Sequence, residues 1–251
     1  MSSIDKPAPQ NVYDDPTFFR NYRNLRQNDT GLNGALEVPA LHSLLPDLSR
    51  RRVLDLGCGF GDFARYARGR GARSVTALDV SGNMIAEAAR LTTDNNIVYL
   101  HRSIEDFSPE PESFDLAVSS MALHYIEDYA AVVERMFMAL TFGGKFIFSV
   151  EHPVCTANPV GWIRDPDEMP LHWPLDQYQS EGRRSTTWFI DGVTKFHRTV
   201  ETYVNTLIAA GFRLDHLGEP KPLAEFLKER PSLEETLRRP PILLLAATRP
   251  E

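Results

Sequence analysis

Short apolar runs alternate with amphipathic stretches between residues 52 and 150. Arg52–Leu56 reads as a short apolar strand that ends in a glycine loop. Phe60–Arg70 follows with Phe63, Ala64 and Ala67 at helical spacing. Ser74–Val80 reads as a β-branched strand carrying Asp79. Ser81 has the chemistry of an N-cap, and the spacing of Met84, Ile85 and Ala88 predicts a helix over Asn83–Leu91. Ile97–His101 and Phe114–Ser119 read as the third and fourth strands. Ala130–Leu140 reads as a helix with Val132, Val133, Met136 and Leu140 inward. Lys145–Val150 reads as a fifth strand, entered through a turn at Gly143–Gly144. After a break, Thr199–Ala210 reads as a helix stopped by Gly211, followed by strands at Phe212–Leu217 and Ile242–Thr248.

Strands separated by helices imply an α/β fold, three-layered and doubly wound, with a mostly parallel sheet. Such sheets bind ligands beyond the carboxyl ends of their strands, near the point where strand order reverses. That rule singles out Gly57–Gly61, Asp79, His101–Glu105, Ser119–His124 and Glu151–Pro153. Four segments follow. Residues 1–48 form a tail and a helical segment: 1–12 are polar and expected to be mobile, and 13–48 are partly helical with Tyr13, Phe18, Phe19 and Tyr22. Residues 49–150 are the α/β core. Residues 151–198 are an insertion whose prolines (Pro153, Pro159, Pro166, Pro170, Pro174) and tryptophans (Trp162, Trp173, Trp188) show little periodicity, as expected of a lid. Residues 199–251 complete the core with a helix and a strand pair.

Charge and composition narrow the function. The chain has 251 residues, a length that suits one α/β domain with an insertion. A net charge of −7 argues against a broad nucleic-acid surface, though not against a local basic pocket. Two cysteines, Cys58 and Cys155, are too few for a disulfide framework. No run approaches the ~18 apolar residues of a membrane helix, and MSSIDKPAPQ lacks the apolar core of a signal peptide. A cytoplasmic enzyme without membrane or nucleic-acid partners is the expectation.

The sharpest chemical signal is Leu54-Asp55-Leu56-Gly57-Cys58-Gly59-Phe60-Gly61-Asp62. Glycines permit positive φ and close approach of backbone to a ligand. The loop opens a helix, whose N-terminal amides favour an anion. A dinucleotide loop spaces its glycines G-x-G-x-x-G; here the third comes one position early and Asp62 occupies its place. Asp55, within the strand, would repel a pyrophosphate. It would attract a cofactor bearing an ammonium and a sulfonium. Asp79, ending the second strand, can accept both hydroxyls of a ribose.

At these residues the chain resembles the class I S-adenosylmethionine-dependent methyltransferases, in particular the small-molecule and quinone-type group. The matching stretches are VLDLGCGFGDFARYA, VTALDVSGNMIAEAA, SIEDF, FDLAVSSMALHYIED and GGKFIFSVEHP, over roughly residues 50–152. The resemblance implies a seven-stranded sheet whose last strand, Ile242–Thr248, is antiparallel. It implies S-adenosylmethionine as cofactor. Gly57, Gly59 and Gly61 would pass the methionine moiety, Asp79 would hold the ribose, and Val80 and Met84 would meet the adenine, with Asp55 the further cofactor-binding candidate. Ser103, Ile104 and Glu105 would frame that ring, and Ser119 would lie near the sulfur. An aromatic or basic residue near the N-terminus would meet the cofactor carboxylate; Tyr13, Arg20, Tyr22 and Arg26 are the candidates. Those motifs do not specify the methyl acceptor.

Methyl transfer is an in-line displacement and relies on positioning. A base is needed only when the acceptor arrives protonated. Histidine titrates near neutrality, so His152, His124 and His197 are the candidate catalytic residues, with His172 behind them. Trp162, Trp173, Trp188 and Phe189 suit an apolar wall for the acceptor. Arg183, Arg184 and Lys195 suit an anionic one. No cysteine–histidine cluster has zinc spacing, so no metal is expected, although scattered acids leave a magnesium-dependent catechol site open. Ser119-Ser120-Met121-Ala122 stands where base-directed enzymes carry an Asn/Asp-Pro-Pro-aromatic run. The expected function is methyl transfer to oxygen or nitrogen of a small molecule. A non-catalytic cofactor-binding module, a methyltransferase for macromolecules and a nucleotide-dependent oxidoreductase are the competing readings. The oligomeric state stays open, a homodimer included.

Overall fold

The computed structural model describes residues 9–28, 31–158 and 160–251. Residues 1–8 of the expected tail, and Pro159, lie outside the described residues. In chain order the elements are α1 (Pro16–Gln27), α2 (Val38–Ser43), β1 (Arg52–Leu56), α3 (Asp62–Gly69), β2 (Ser74–Asp79), α4 (Gly82–Arg90), β3 (Ile97–His101) and β4 (Phe114–Ser120). There follow α5 (Tyr129–Ala139), β5 (Leu140–Glu151), α6 (Pro153–Thr156), β6 (Ile163–Arg164), β7 (Pro170–His172), β8 (Gly182–Trp188) and β9 (Ile190–His197). The chain ends with α7 (Val200–Ala209), β10 (Arg213–Gly218), α8 (Ala224–Glu229), α9 (Glu235–Arg238) and β11 (Ile242–Thr248).

Seven strands form one sheet in the order β10-β11-β5-β4-β1-β2-β3. β1 to β5 are parallel, and β11 is antiparallel to both β5 and β10. The order reverses at β1, which lies between β4 and β2, so the crevice of a doubly wound sheet falls beyond its carboxyl end. Alternate strand residues feed two cores. Leu54, Leu56, Leu243 and Leu245 pack with α5 and α7, while Val53, Leu244 and Ala246 pack with α3. Burial on both faces is why β1 and β11 read as continuous apolar runs. Ser81 does cap α4, its Oγ accepting from the Met84 amide at 3.1 Å.

Three expectations need correction. Gly143–Gly144 is not a turn before β5. The strand begins at Leu140, and pairing jumps from Phe114↔Leu140 to Leu116↔Lys145, so the glycines lie in a bulge with Gly143 at φ 74. The insertion is not aperiodic. β8 and β9 form a hairpin paired from Gly182↔His197 to Trp188↔Ile190, with exposure alternating along β8. Its inward residues include Arg184 and Thr186, so a hydrophobic pattern does not reveal it. Nor do residues 10–12 hang free: the Gln10 side chain pairs with both backbone groups of Thr194, at 3.2 and 2.6 Å. The described residues contain no helix long and apolar enough to cross a membrane.

Candidate active site

The glycine loop leaves β1 as two backbone amides, Gly57 and Cys58, donate to the Leu78 carbonyl at 2.9 Å. Asp79 then braces it. One carboxylate oxygen accepts from the Gly59 amide and the other from the Ser81 amide, both at 2.9 Å. Burial raises the Asp79 pKa, while those two amides pull it the other way. The glycines differ in purpose. Gly61 (φ 74) is the residue just before α3, at its N-cap, and a Cβ there would run into the Tyr99 ring. Gly59 (φ 51) has nothing within 4 Å of the place a Cβ would take, which leaves its face open to the space above the sheet.

That space is a cavity of about 660 Å³, within the ~300–1,000 Å³ of small-molecule sites. Of the expected cofactor residues, Asp55, Gly57, Gly59, Asp79, Val80, Met84, Ile104, Glu105, Tyr22 and Arg26 line it. Gly61, Ser103 and Ser119 do not. Ser103 turns its Oγ to Asp106 at 2.6 Å, and Ser119 is fully buried with its Oγ on the Leu56 carbonyl at 2.9 Å. Successive strand side chains face opposite ways, so Ser120, not Ser119, lines the cavity. Tyr13 also lines it, whereas Arg20 is exposed.

The histidines separate sharply. His152 is 3% exposed and off the cavity wall; its Nδ1 accepts from the Val154 amide at 3.1 Å, capping α6, and its Nε2 meets Glu219 at 3.0 Å. His197 is fully buried between the Thr156 hydroxyl (2.7 Å) and the Tyr178 carbonyl (2.9 Å). The carbonyl accepts only, so Nε2 carries the proton and Nδ1 takes the hydroxyl's. Both rings are occupied by structural hydrogen bonds and neither lines the cavity, against the expectation that they serve as bases. His172 is exposed and away from the wall. His124 alone of the three lines the cavity. Its Nδ1 accepts from the Glu151 amide at 3.3 Å, so Nε2 is a donor, and burial first, then Lys195 and Arg198, hold its pKa well below the ordinary value.

Two carboxylates in the wall are poorly satisfied. Asp55 is 1% exposed, and its Oδ2 has no hydrogen-bond partner; burial, then the charges of Asp79, Asp62 and Glu37, push its pKa to about 8. Glu37, 1% exposed, was not foreseen from the sequence. It ends a π-helical turn, Asn33–Glu37, of the kind often found at functional sites. Ser149 donates to its Oε1 at 2.7 Å, and its Oε2 is unpartnered. Its one signal is an acid set inside Ala35-Leu36-Glu37-Val38.

The roof joins two segments distant in sequence. Tyr13 meets Tyr22 at 5.2 Å, Tyr22 meets Phe60 at 5.8 Å, and Trp188 at the hairpin tip meets Tyr22 at 5.9 Å and Phe18 at 5.2 Å. Asp14 fastens this roof to the N-terminus of α4 through Ser81 Oγ (2.5 Å) and the Asn83 and Gly82 amides (3.0 and 3.2 Å). Trp173, Arg184 and Lys195 line the wall; Trp162, Phe189 and Arg183 do not. Among the described residues, no three His, Cys, Asp or Glu side chains gather as a metal-holding group.

Comparison with known proteins bears on this geometry. Residues 53–144 match a family described as a methyltransferase domain. The chain is 44% identical to an S-adenosylmethionine-dependent methyltransferase from Mesorhizobium loti, whose structure superposes with a TM-score of 0.81 over 87% of this chain and 100% of that one. It is 42% identical to a putative enzyme of the same kind from Listeria monocytogenes, with a TM-score of 0.82 over 86% and 97%. A malonyl-[acyl-carrier protein] O-methyltransferase from Enterobacter lignolyticus is 36% identical over 110 residues, 44% of this chain and 43% of that protein.

Proposed function

The chain belongs to the S-adenosylmethionine-dependent methyltransferases, and on that premise we propose that it methylates an oxygen or nitrogen atom of a small molecule held under the aromatic roof. The observation that carries this reading is the single roofed cavity: Asp55, Gly59 and Asp79 line one part of it, and Trp173, Trp188 and Lys195 another. The residues present suit the cofactor. The unpartnered Asp55 oxygen suits an ammonium, the open face of Gly59 suits close approach of a chain, and Asp79 keeps lone pairs for ribose hydroxyls. Tyr13, Tyr22 and Tyr125 suit a sulfonium through their ring faces.

When bound, S-adenosylmethionine supplies an electrophilic methyl carbon on a positive sulfur. The protein's part is to orient. Asp55 and Asp79 fix the two ends of a ligand between β1 and β2, and the roof excludes water and limits the acceptor's approach. His124, as an Nε2 donor of lowered pKa, can hold an acceptor atom but is a poor base in this tautomer. An acceptor that arrives already deprotonated fits this tautomer best. Oxygen as acceptor atom draws support from the relative that methylates malonyl-[acyl-carrier protein], within the half of the chain that covers the cofactor core.

The test is transfer of label. The enzyme and methyl-labelled cofactor are incubated with a host extract, and products are separated by mass. Label in the low-mass fraction is expected; label confined to protein or nucleic acid would overturn the small-molecule reading. Binding of the cofactor without any transfer would favour a non-catalytic module.

A further inference from the structure

We propose that the acceptor carries an anionic oxygen group, a carboxylate or a phosphate, and that Arg239 binds it on the face of Trp173. This rests on the reading that a small acceptor enters the cavity. Arg239 follows α9 and lines the cavity wall. Its guanidinium lies 4.0 Å from the Trp173 ring centroid and 6.0 Å from that of Trp162. Trp173 is fixed in turn, donating from Nε1 to the Val154 carbonyl at 2.9 Å.

The other cations of the wall are engaged. Arg26 pairs with Asp62 at 2.9 Å, Lys195 pairs with Glu151, and Arg184 donates to the carbonyls of Arg183, Gln177 and Ser180. Arg239 has no carboxylate partner among the described residues. Its Nη1 donates at 2.9 Å to Cys155 Sγ, a weak acceptor whose thiol stays neutral because burial pushes its pKa to about 12. Its Nε is buried without a partner, and so is Nε1 of the neighbouring Trp162. A guanidinium stacked on an indole keeps its planar edge free for the two oxygens of an oxyanion. A neutral or cationic acceptor would leave the guanidinium charge of Arg239 without a counter-ion in the cavity wall.

Position separates this group from the cofactor. Arg239 precedes β11, and three strand spacings lie between β11 and β1, which carries Asp55. At ~4.8 Å per spacing that is roughly 14 Å, and Asp79 on β2 is one spacing farther. The anion held by Arg239 is therefore on the acceptor, not the cofactor.

The experiment titrates the full chain, saturated with S-adenosylhomocysteine, with benzoate, phenyl phosphate, benzyl alcohol and benzylamine, followed by tryptophan fluorescence. At least one anion is expected to bind tenfold or more tightly than the alcohol and the amine, and the two anions tell carboxylate from phosphate. Arg239→Gln should abolish that preference, and Arg239→Lys should weaken it at least threefold, since it keeps the charge but loses the fork. The inference fails if neither anion exceeds benzyl alcohol, if Arg239→Gln keeps the preference, or if affinity for S-adenosylhomocysteine falls in parallel, which would assign Arg239 to the cofactor. Should Arg239→Gln not fold, an unchanged preference in Arg239→Lys overturns the proposal. An Arg239-dependent preference with no label in the low-mass fraction would sink the transfer reading and leave this site standing. Label on a neutral acceptor would do the reverse.

Discussion

With the cofactor ammonium placed beside Asp55 as proposed, ligand affinity should depend on pH in a way that can be worked out. Its pKa rises from an ordinary 3.8 to about 8 because it is buried, with Asp79, Asp62 and Glu37 nearby. At pH 7 it is therefore mostly protonated in the free protein. An ammonium set against it favours the carboxylate, so binding expels the proton. The ligand's α-amino group itself titrates near ~8. Affinity follows the product of carboxylate and ammonium fractions, a bell centred near pH 8. Between pH 8 and pH 6 that product falls about 25-fold, and at pH 7 binding releases ~0.8 proton. Asp55→Asn removes a charge-assisted contact of ~1.5–3 kcal/mol. It should weaken S-adenosylhomocysteine about 10- to 100-fold at pH 8 and approach the wild type at pH 6. Calorimetry in buffers of different ionisation enthalpy reads both affinity and proton count. A wild-type affinity constant within twofold from pH 6 to 8, or the same slope in Asp55→Asn, would refute the reasoning. Stability gives a second check. The folded apo protein keeps this proton up to about pH 8, while the unfolded chain loses it near 3.8. Apo stability is therefore full below that lower value and is lost as pH rises to 8, by roughly 6 kcal/mol at most. Asp55→Asn should be more stable than the wild type at pH 8 and not at pH 4.

Other substitutions probe the rest of the site. His152→Ala and His197→Gln should each lower unfolding free energy by ~1–3 kcal/mol while label transfer stays within about threefold. A tenfold loss of transfer at unchanged melting temperature would return them to the chemistry. Burial, the first cause in each case, holds both below the ordinary histidine pKa, so the stability they confer is present above pH ~6.5 and lost as pH falls, which His197→Gln should blunt in denaturant titrations. Asp14→Ala should cost ~1–2 kcal/mol, like loss of a helix cap, and speed amide exchange in α1; unchanged exchange would show that the roof needs no tether. Burial pushes Asp14 upward, yet hydrogen bonds from Ser81, Asn83, Asn11 and Gly82 keep it below the usual carboxylate range, so the tether loosens only under strong acid. Gly59→Ala should cost ~1–2 kcal/mol for its left-handed backbone and weaken cofactor binding, whereas Gly61→Ala should cost more because of Tyr99. Equal denaturation midpoints for the two would contradict the packing described.

Much of the molecule was legible in the chain alone. The apolar runs and helical patterns of residues 52–150 are local properties, and so is a loop whose glycines need positive φ. They specify β1 to β5, the loop and Asp79, because buried parallel strands must be apolar throughout and the motif's spacing is set by one turn of backbone. The hairpin over 182–197 escaped because its inward positions include Arg184 and Thr186, so no apolar alternation marks it. Tertiary structure decided which groups share the cavity. It put His152 and His197 into structural hydrogen bonds and Ser119 inside the sheet. It brought Glu37, Ser120 and Arg239 to the wall from three separate parts of the chain. Whether a carboxylate or guanidinium finds a partner depends on neighbours many residues away, and its charge state follows from that burial. The pattern along the chain therefore identifies the fold and the methyl donor, while the buried polar atoms left without partners on Glu37, Asp55 and Arg239 emerge only in the tertiary structure.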